Sequence, residues 1–208
     1  MSEGGPTVYK LGGSLFDRPD LAGRLGALLA GEPRALVVAG GGAVADAVRD
    51  WDRVHRLGEE RAHRLACEAL GVTARFVVAL LPGAELAATR EAASDVWEQG
   101  GVAVLDLPAF LAAEEPRDPD PPPHTWDTTS DALAAWVARR WPAGRLVMLK
   151  SCEQRPDAVD RHFARFSAGL AVEWVNLRGE SPSASGRRQP AVRSHRPERA
   201  DAAERAGG

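Results

Sequence analysis

A lysine that closes a buried strand is costly unless water, a carboxylate or an anion attends its ammonium. This chain places one in Tyr9-Lys10-Leu11-Gly12-Gly13-Ser14 and another in Leu149-Lys150-Ser151, each at the end of an apolar run. Behind Lys10, two glycines remove side chains where the backbone turns, so N–H groups can approach a ligand closely, as phosphate-cradling loops require. A second glycine loop, Gly40-Gly41-Gly42, follows the apolar run Ala35-Leu36-Val37-Val38-Ala39 and leads into a helical pattern, whose amino terminus adds further orphan amides. Cations beside open amides suggest an anion site. Thr128-Thr129-Ser130-Asp131 offers a carboxylate, and Asp131 set between two lysines would fix them and offset their repulsion. The same four residues read locally as a capping box, with Thr128 as the cap and Asp131 three residues on; a first-turn Asp can do both. Phosphoryl transfer needs little more than such cations, amides and accurate positioning. Taken singly, each signal has a plainer reading as a tight turn, a helix cap or a snorkelling lysine.

The elements that must hold these residues follow from periodicity. Thr7 to Leu11 reads as a first strand and Leu21 to Leu29 as a helix closed by Gly31 and Pro33. After the second glycine loop, a helical pattern runs from Ala43 to about Leu70, with a break near Gly58 and Gly71 as its cap. Arg75 to Leu81 is the next predicted strand, Ala84 to Trp97 a helix, and Gly101 to Leu107 a strand, with Pro108 opening a short helix. Glu114 to His124 holds acidic residues and five prolines, which predicts an extended surface connection with the length of a lid or binding loop. Ala132 to Arg140 is helical and Arg145 to Leu149 a strand; Asp157 to Phe166 admits helix or loop, and Leu170 to Leu177 is the last strand. Buried strands alternating with helices predict an α/β fold with a mainly parallel sheet covered on both faces. Residues 1–180 form one expected domain, and 181–208, almost without apolar anchors, an expected disordered tail.

Totals narrow the partners. With 26 Lys and Arg against 29 Asp and Glu, the net charge is −3, so no general field draws nucleic acid or an anionic membrane. Two cysteines, Cys67 and Cys152, lack CxxC spacing and clustered histidines, which favours a reducing cytoplasm and disfavours a disulfide framework or a structural zinc. The first residues do not resemble a signal peptide, and no apolar run reaches membrane length.

Gly40-Gly41-Gly42-Ala43-Val44-Ala45 formally satisfies G-x-G-x-x-A. The dinucleotide reading requires a second strand ending in an acid about 20 positions on, where the pattern is still helical. A P-loop sequence is absent. Among further candidates, Asp46 and Arg49 sit one helical turn apart behind the glycine loop, as an acceptor contact or a plain ion pair. His55, Glu59 and His63 fall roughly on one helix stripe, and His63 is a candidate acceptor contact. His124 closes the proline-rich run, where a lid would carry it over the acceptor. Asp160 is a candidate contact to nucleotide or Mg²⁺. The six tryptophans read as core and interface packing.

Val8-Tyr9-Lys10-Leu11-Gly12-Gly13-Ser14, Val37 to Gly42 and Thr128 to Ala134 resemble the K-x-G-G-S, G-G-G and T-[TS]-D-x-x-A signatures of the amino acid kinase superfamily, over Thr7 to about Gly179. The resemblance implies a three-layer α/β/α sandwich that binds ATP with Mg²⁺ at the carboxyl edge of the sheet. It implies that Lys10 stabilises the transferred phosphoryl group, that Gly12, Gly13, Gly41 and Gly42, with Ser14 and Ser151, hold phosphates, and that Asp131 organises the lysines. It also implies a homo-oligomer acting on a small molecule in the cytoplasm. His124 to Asp131, Leu146 to Ser151 and Val172 to Arg178 resemble a narrower branch that contains the [5-(aminomethyl)furan-3-yl]methyl phosphate kinase of methanofuran biosynthesis, which implies a phosphate-monoester acceptor and one-carbon cofactor metabolism. The chain departs from the wider superfamily where Lys150-Ser151 replaces a Thr-Asp pair and where a later G-G-M-x-x-K lysine is missing, so Lys150 is expected to serve instead. Other acceptors of the same fold (a carboxylate, a nucleoside monophosphate, isopentenyl phosphate) and a non-catalytic anion binder remain the alternatives.

Overall fold

The computed structural model describes residues 5–179. The expected tail, 181–208, lies outside them. Six strands, β1 (Thr7–Leu11), β2 (Ala35–Ala39), β3 (Ala84–Ala87), β4 (Val102–Leu105), β5 (Arg145–Lys150) and β6 (Val172–Asn176), form one sheet in the order β3-β4-β2-β1-β5-β6. Every pairing is parallel. The central strands are buried throughout, as a sheet covered on both faces demands. The helices are α1 (Leu21–Leu29), α2 (Gly42–His55), α3 (Glu59–Leu80), α4 (Arg90–Glu98), α5 (Leu107–Glu114), α6 (Ser130–Arg140) and α7 (Phe163–Ser167).

Alternation along the strands divides the core in two. Val8, Leu36, Val38, Leu146 and Met148 face a cluster built by α4, α5, α6 and α7, with Trp136 and Phe166 wholly buried in it. Tyr9, Leu11, Val37, Val147 and Leu149 face Leu21 and Leu25 of α1 and Ala74 and Val77 of α3. This is the expected α/β/α sandwich.

Several local expectations fail. The predicted strand Arg75–Leu81 is the last part of α3, which continues through Gly71 instead of ending there. Gly71 is not a cap: a Cβ there would come within 2.9 Å of Pro108 Cγ, so the missing side chain lets α5 pack against α3. The predicted helix Ala84–Trp97 is instead edge strand β3 followed by α4, started by Thr89, whose hydroxyl accepts the Ala92 N–H at 3.2 Å. Helix α6 is capped by Thr129 rather than Thr128. His55 ends α2 whereas Glu59 and His63 lie on α3, so these three do not share one helix. Asp157 to Phe166 resolves into a 3-10 turn at Pro156–Ala158 and the start of α7.

Candidate functional site

Period two decides where the lysines point. Lys10 shares its sheet face with Val8, and Lys150 shares the same face with Leu146 and Met148, so both turn toward the layer that contains α6. Asp131, second residue of α6, stands between them. Lys10 Nζ lies 2.6 Å from its Oδ1 and Lys150 Nζ 2.6 Å from its Oδ2. All three are nearly enclosed, at 4 % exposure for Lys10 and Asp131 and 9 % for Lys150. Lys150 also donates to the Ala158 carbonyl at 2.7 Å and lies 5.5 Å from the ring centre of Trp174. Burial drives the Asp131 carboxyl up, but the charges of Lys10 and Lys150 outweigh it and hold it below its ordinary range. Burial and the neighbouring Lys10 charge push the Lys150 ammonium down, against the pull of Asp131.

The two glycine loops meet backbone to backbone beside this triad. A Cβ on Gly13 would stand 2.2 Å from the Gly42 nitrogen, and one on Gly40 would stand 2.7 Å from the Gly13 nitrogen. Gly42 itself takes a φ of +51°, a conformation glycine adopts without strain. Not every expected amide is free for a ligand. Gly12 N–H donates to Leu149 O at 2.8 Å and Gly40 N–H to Leu11 O at 2.8 Å, which lock the loops to the sheet. Gly13, Ser14, Gly41 and Gly42 begin helical turns, whose first N–H groups have no intrahelical acceptor. The Ser14 and Ser151 hydroxyls stand 2.8 Å apart and join the first loop to the end of β5.

A cleft of about 280 Å³ opens from these loops and is walled by Asp46, Arg49, His63 and Trp126. Asp46 and Arg49 form the plain ion pair, at 2.8 Å, and still face the cleft. Arg49 lies 5.0 Å above the Trp126 ring, whose Nε1 donates to Asp52 at 2.8 Å. His63 reaches the cleft with both nitrogens engaged: Nδ1 donates to Thr125 O at 3.2 Å, which leaves Nε2 as acceptor for the Cys67 thiol at 3.5 Å. Burial and the nearby His124 lower its pKa. His124 does not wall the cleft. It stacks on His63 with ring centres 4.9 Å apart and lies between Glu60, at 2.8 Å, and Glu115, at 3.2 Å. Asp160 binds the start of α6, with Oδ2 accepting from Thr129 Oγ1 at 2.7 Å.

Sequence reasoning passed over three features. Thr128 is buried in the cleft wall, and its Oγ1 has no hydrogen-bond partner among the described residues. Arg178 donates to the Ser14 carbonyl at 2.7 Å and pairs with Asp17, pinning the first loop from beyond β6. Lys10 and Lys150 are also the only lysines in the chain; its other 24 basic residues are arginines. That count alone marks both lysines as special, since a compact ammonium fits where a guanidinium fork would not.

The sequence profile described as "Amino acid kinase family" matches residues 5–154. No curated protein matches the chain significantly. Among solved structures, the uridylate kinase from Archaeoglobus fulgidus superposes with a TM-score of 0.52 at 19% identity, over 74% of this chain and 70% of that one. The UMP kinase from Ureaplasma parvum gives 0.47 at 13%, over 73% and 71%. At these identities the likeness to the first is one of fold.

Proposed function

The chain belongs to the amino acid kinase family, and from that premise we propose that it is an ATP-dependent kinase that transfers the γ-phosphoryl group to a small phosphate monoester. The observation that carries the proposal is the Asp131 carboxylate held between Lys10 and Lys150 at the carboxyl edge of the sheet, beside two glycine loops. Charge spreads over the equatorial oxygens of a phosphoryl group in transit. Lys10 and the amides of Gly13, Gly41 and Gly42 meet that charge, while Lys150 supplies the second cation. Asp131, with a carboxyl held ionised, keeps the two ammonium groups at fixed positions and takes no proton. Preorganised cations in a nearly dry site stabilise developing charge more strongly than water does.

Among the described residues, no group of three or more His, Cys, Asp or Glu could hold a metal ion. Magnesium therefore enters this reading with the nucleotide, as part of the MgATP substrate. The cleft beyond the glycine loops takes the acceptor. Arg49 suits an acceptor phosphate, Trp126 a flat ring and Asp46 an amine, which together favour an aminomethylfuran methyl phosphate and a diphosphate product for methanofuran-type cofactor synthesis. Exposed Trp51 and Val54 on α2 and Val72 and Phe76 on α3 support a homo-oligomer. No helix among the described residues is long and apolar enough to cross a membrane.

The test is ATP consumption followed by mass spectrometry, with the furan phosphate beside uridylate, isopentenyl phosphate and acetylglutamate, each against Lys10→Ala. A Lys10-dependent diphosphate from the furan phosphate alone is the expected result. Turnover of another acceptor keeps the kinase and overturns the pathway. No Lys10-dependent turnover of any acceptor makes the chain an anion binder.

A further inference from the structure

Asp160, in the connection from β5 to β6, sits close to the triad without touching it. Its Oδ2 accepts hydrogen bonds from Thr129 N at 3.1 Å, Thr129 Oγ1 at 2.7 Å and Ala132 N at 2.9 Å, and its Oδ1 accepts from His162 N at 3.0 Å. A carboxylate with this set of donors is committed to them. It lies where the first amides of α6 lack intrahelical acceptors and where the helix dipole favours negative charge. Two residues earlier, Ala158 gives its carbonyl to Lys150 Nζ. One short connection therefore grips the backbone on both sides of Asp131, at Thr129 and Ala132, and the head of Lys150. The helix's own cap is weaker, since Thr129 Oγ1 accepts from Asp131 N at 3.3 Å.

We propose that Asp160 is a positioning residue: by anchoring the first turn of α6, it sets the Asp131 carboxylate against Lys150, and it contacts neither nucleotide nor metal. Its catalytic consequence rests on the phosphoryl-transfer reading; the alignment itself does not. If the anchor is lost, the first turn of α6 and the Ala158 carbonyl move together, and Lys150 loses its two hydrogen-bond acceptors, the Asp131 carboxylate and the Ala158 carbonyl. Of the groups that then face Lys150, the Lys10 charge from β1 opposes its proton, as burial does, while the Trp174 ring from β6 and Cys152 beyond its own strand favour it less than Asp131 did. Lys150 therefore releases its proton at lower pH.

Because the chain has only two lysines, full-length protein labelled with [ε-¹³C]lysine gives two titrating side-chain signals by NMR, assigned with a Lys10→Arg variant. Asp160→Ala is expected to lower the Lys150 midpoint. Asp160→Asn, which keeps an oxygen acceptor but not the charge, is expected to fall between it and the parent protein, and it carries the test alone if Asp160→Ala does not fold. In turnover with MgATP, Asp160→Ala should cut kcat on the order of 100-fold, as a catalytic group misplaced by about 1 Å does, with the KM for ATP and the Mg²⁺ requirement unchanged. An unmoved Lys150 midpoint in the folded variants overturns the proposal. A raised KM for MgATP with kcat preserved also overturns it and makes Asp160 a ligand. If the parent protein transfers no phosphoryl group to any acceptor, the kinase reading fails alone, and the lysine titration still decides the positioning role.

Discussion

Asp131→Asn keeps the shape of the side chain and removes its charge, which leaves two buried ammonium groups at 4 % and 9 % exposure with no counter-ion. Breaking a buried ion pair by removing one partner costs about 3–5 kcal/mol, because the remaining charge is stranded. For a domain of this size each kcal/mol moves the melting temperature by about 2–4 °C, so a drop of roughly 6–20 °C is expected near neutral pH. The sign of its pH dependence is fixed. In the parent protein the Asp131 carboxyl is held below its ordinary value of 3.8, so its stabilisation is full above that value and is lost as pH falls through the folded pKa. In the variant, Lys150, already pushed down by burial and the Lys10 charge, loses its counter-ion and titrates further below its unfolded value of about 10.4. The unfolded chain then binds more protons, and stability rises with pH. The deficit should therefore be large near neutrality and shrink as pH climbs toward the ordinary lysine range. Adding Lys150→Met to Asp131→Asn removes one stranded charge and should recover at least about 1 kcal/mol, a coupling expected of residues in contact. Thermal melts followed by circular dichroism, parent and variants, measure all of this. A loss under about 1 kcal/mol, or a deficit that does not change with pH, would refute the claim that Asp131 holds two charged lysines.

Gly13→Ala drives a methyl against the Gly42 backbone nitrogen at 2.2 Å and should destabilise by about 1–3 kcal/mol, whereas Gly26→Ala, in the open interior of α1 with nothing within 4 Å, should stabilise by about 0.5–1 kcal/mol; urea titrations of the two variants give both signs. Thiol chemistry should separate the two cysteines. Burial pushes Cys67 up to about 12, and Cys152 is half-buried, so native protein at mildly alkaline pH should take up one iodoacetamide, at Cys152, as read by peptide mass spectrometry, and alkylation of native Cys67 would show that the α3 end of the cleft opens.

Residues local to one element carried most of what could be read from the chain. β1, β2 and α1 fall where apolar runs and glycine or proline punctuation put them, because a strand buried on both faces needs an unbroken apolar segment. The triad was legible for a similar reason: lysine is costly at the end of such a strand, so Lys10 and Lys150 implied a carboxylate, and Asp131 was the one set in a helix start. The failures lie where partners distant in sequence decide. Phe76, Val77 and Val78 have strand-like side chains, yet α3 runs on through them because Gly71 gives α5 a close approach and Ala74 and Val77 are buried against the sheet. Thr128 looked like the cap of α6, but Asp160, about 30 residues on, binds the hydroxyl and amide of Thr129. Distant partners also fix the two histidines expected at the acceptor: His63 lines the cleft, and packing joins it and His124 to one another and to Glu60, Glu115, Cys67 and the Thr125 carbonyl. Sequence by itself determined the layered parallel sheet, the two glycine loops and the three charged residues, because burial and backbone freedom act on neighbours along the chain. Only tertiary structure decided which amides are spent on the sheet, how far α3 extends and which carboxylate anchors the helix that carries Asp131, because hydrogen bonds and close packing join groups that the chain order keeps apart.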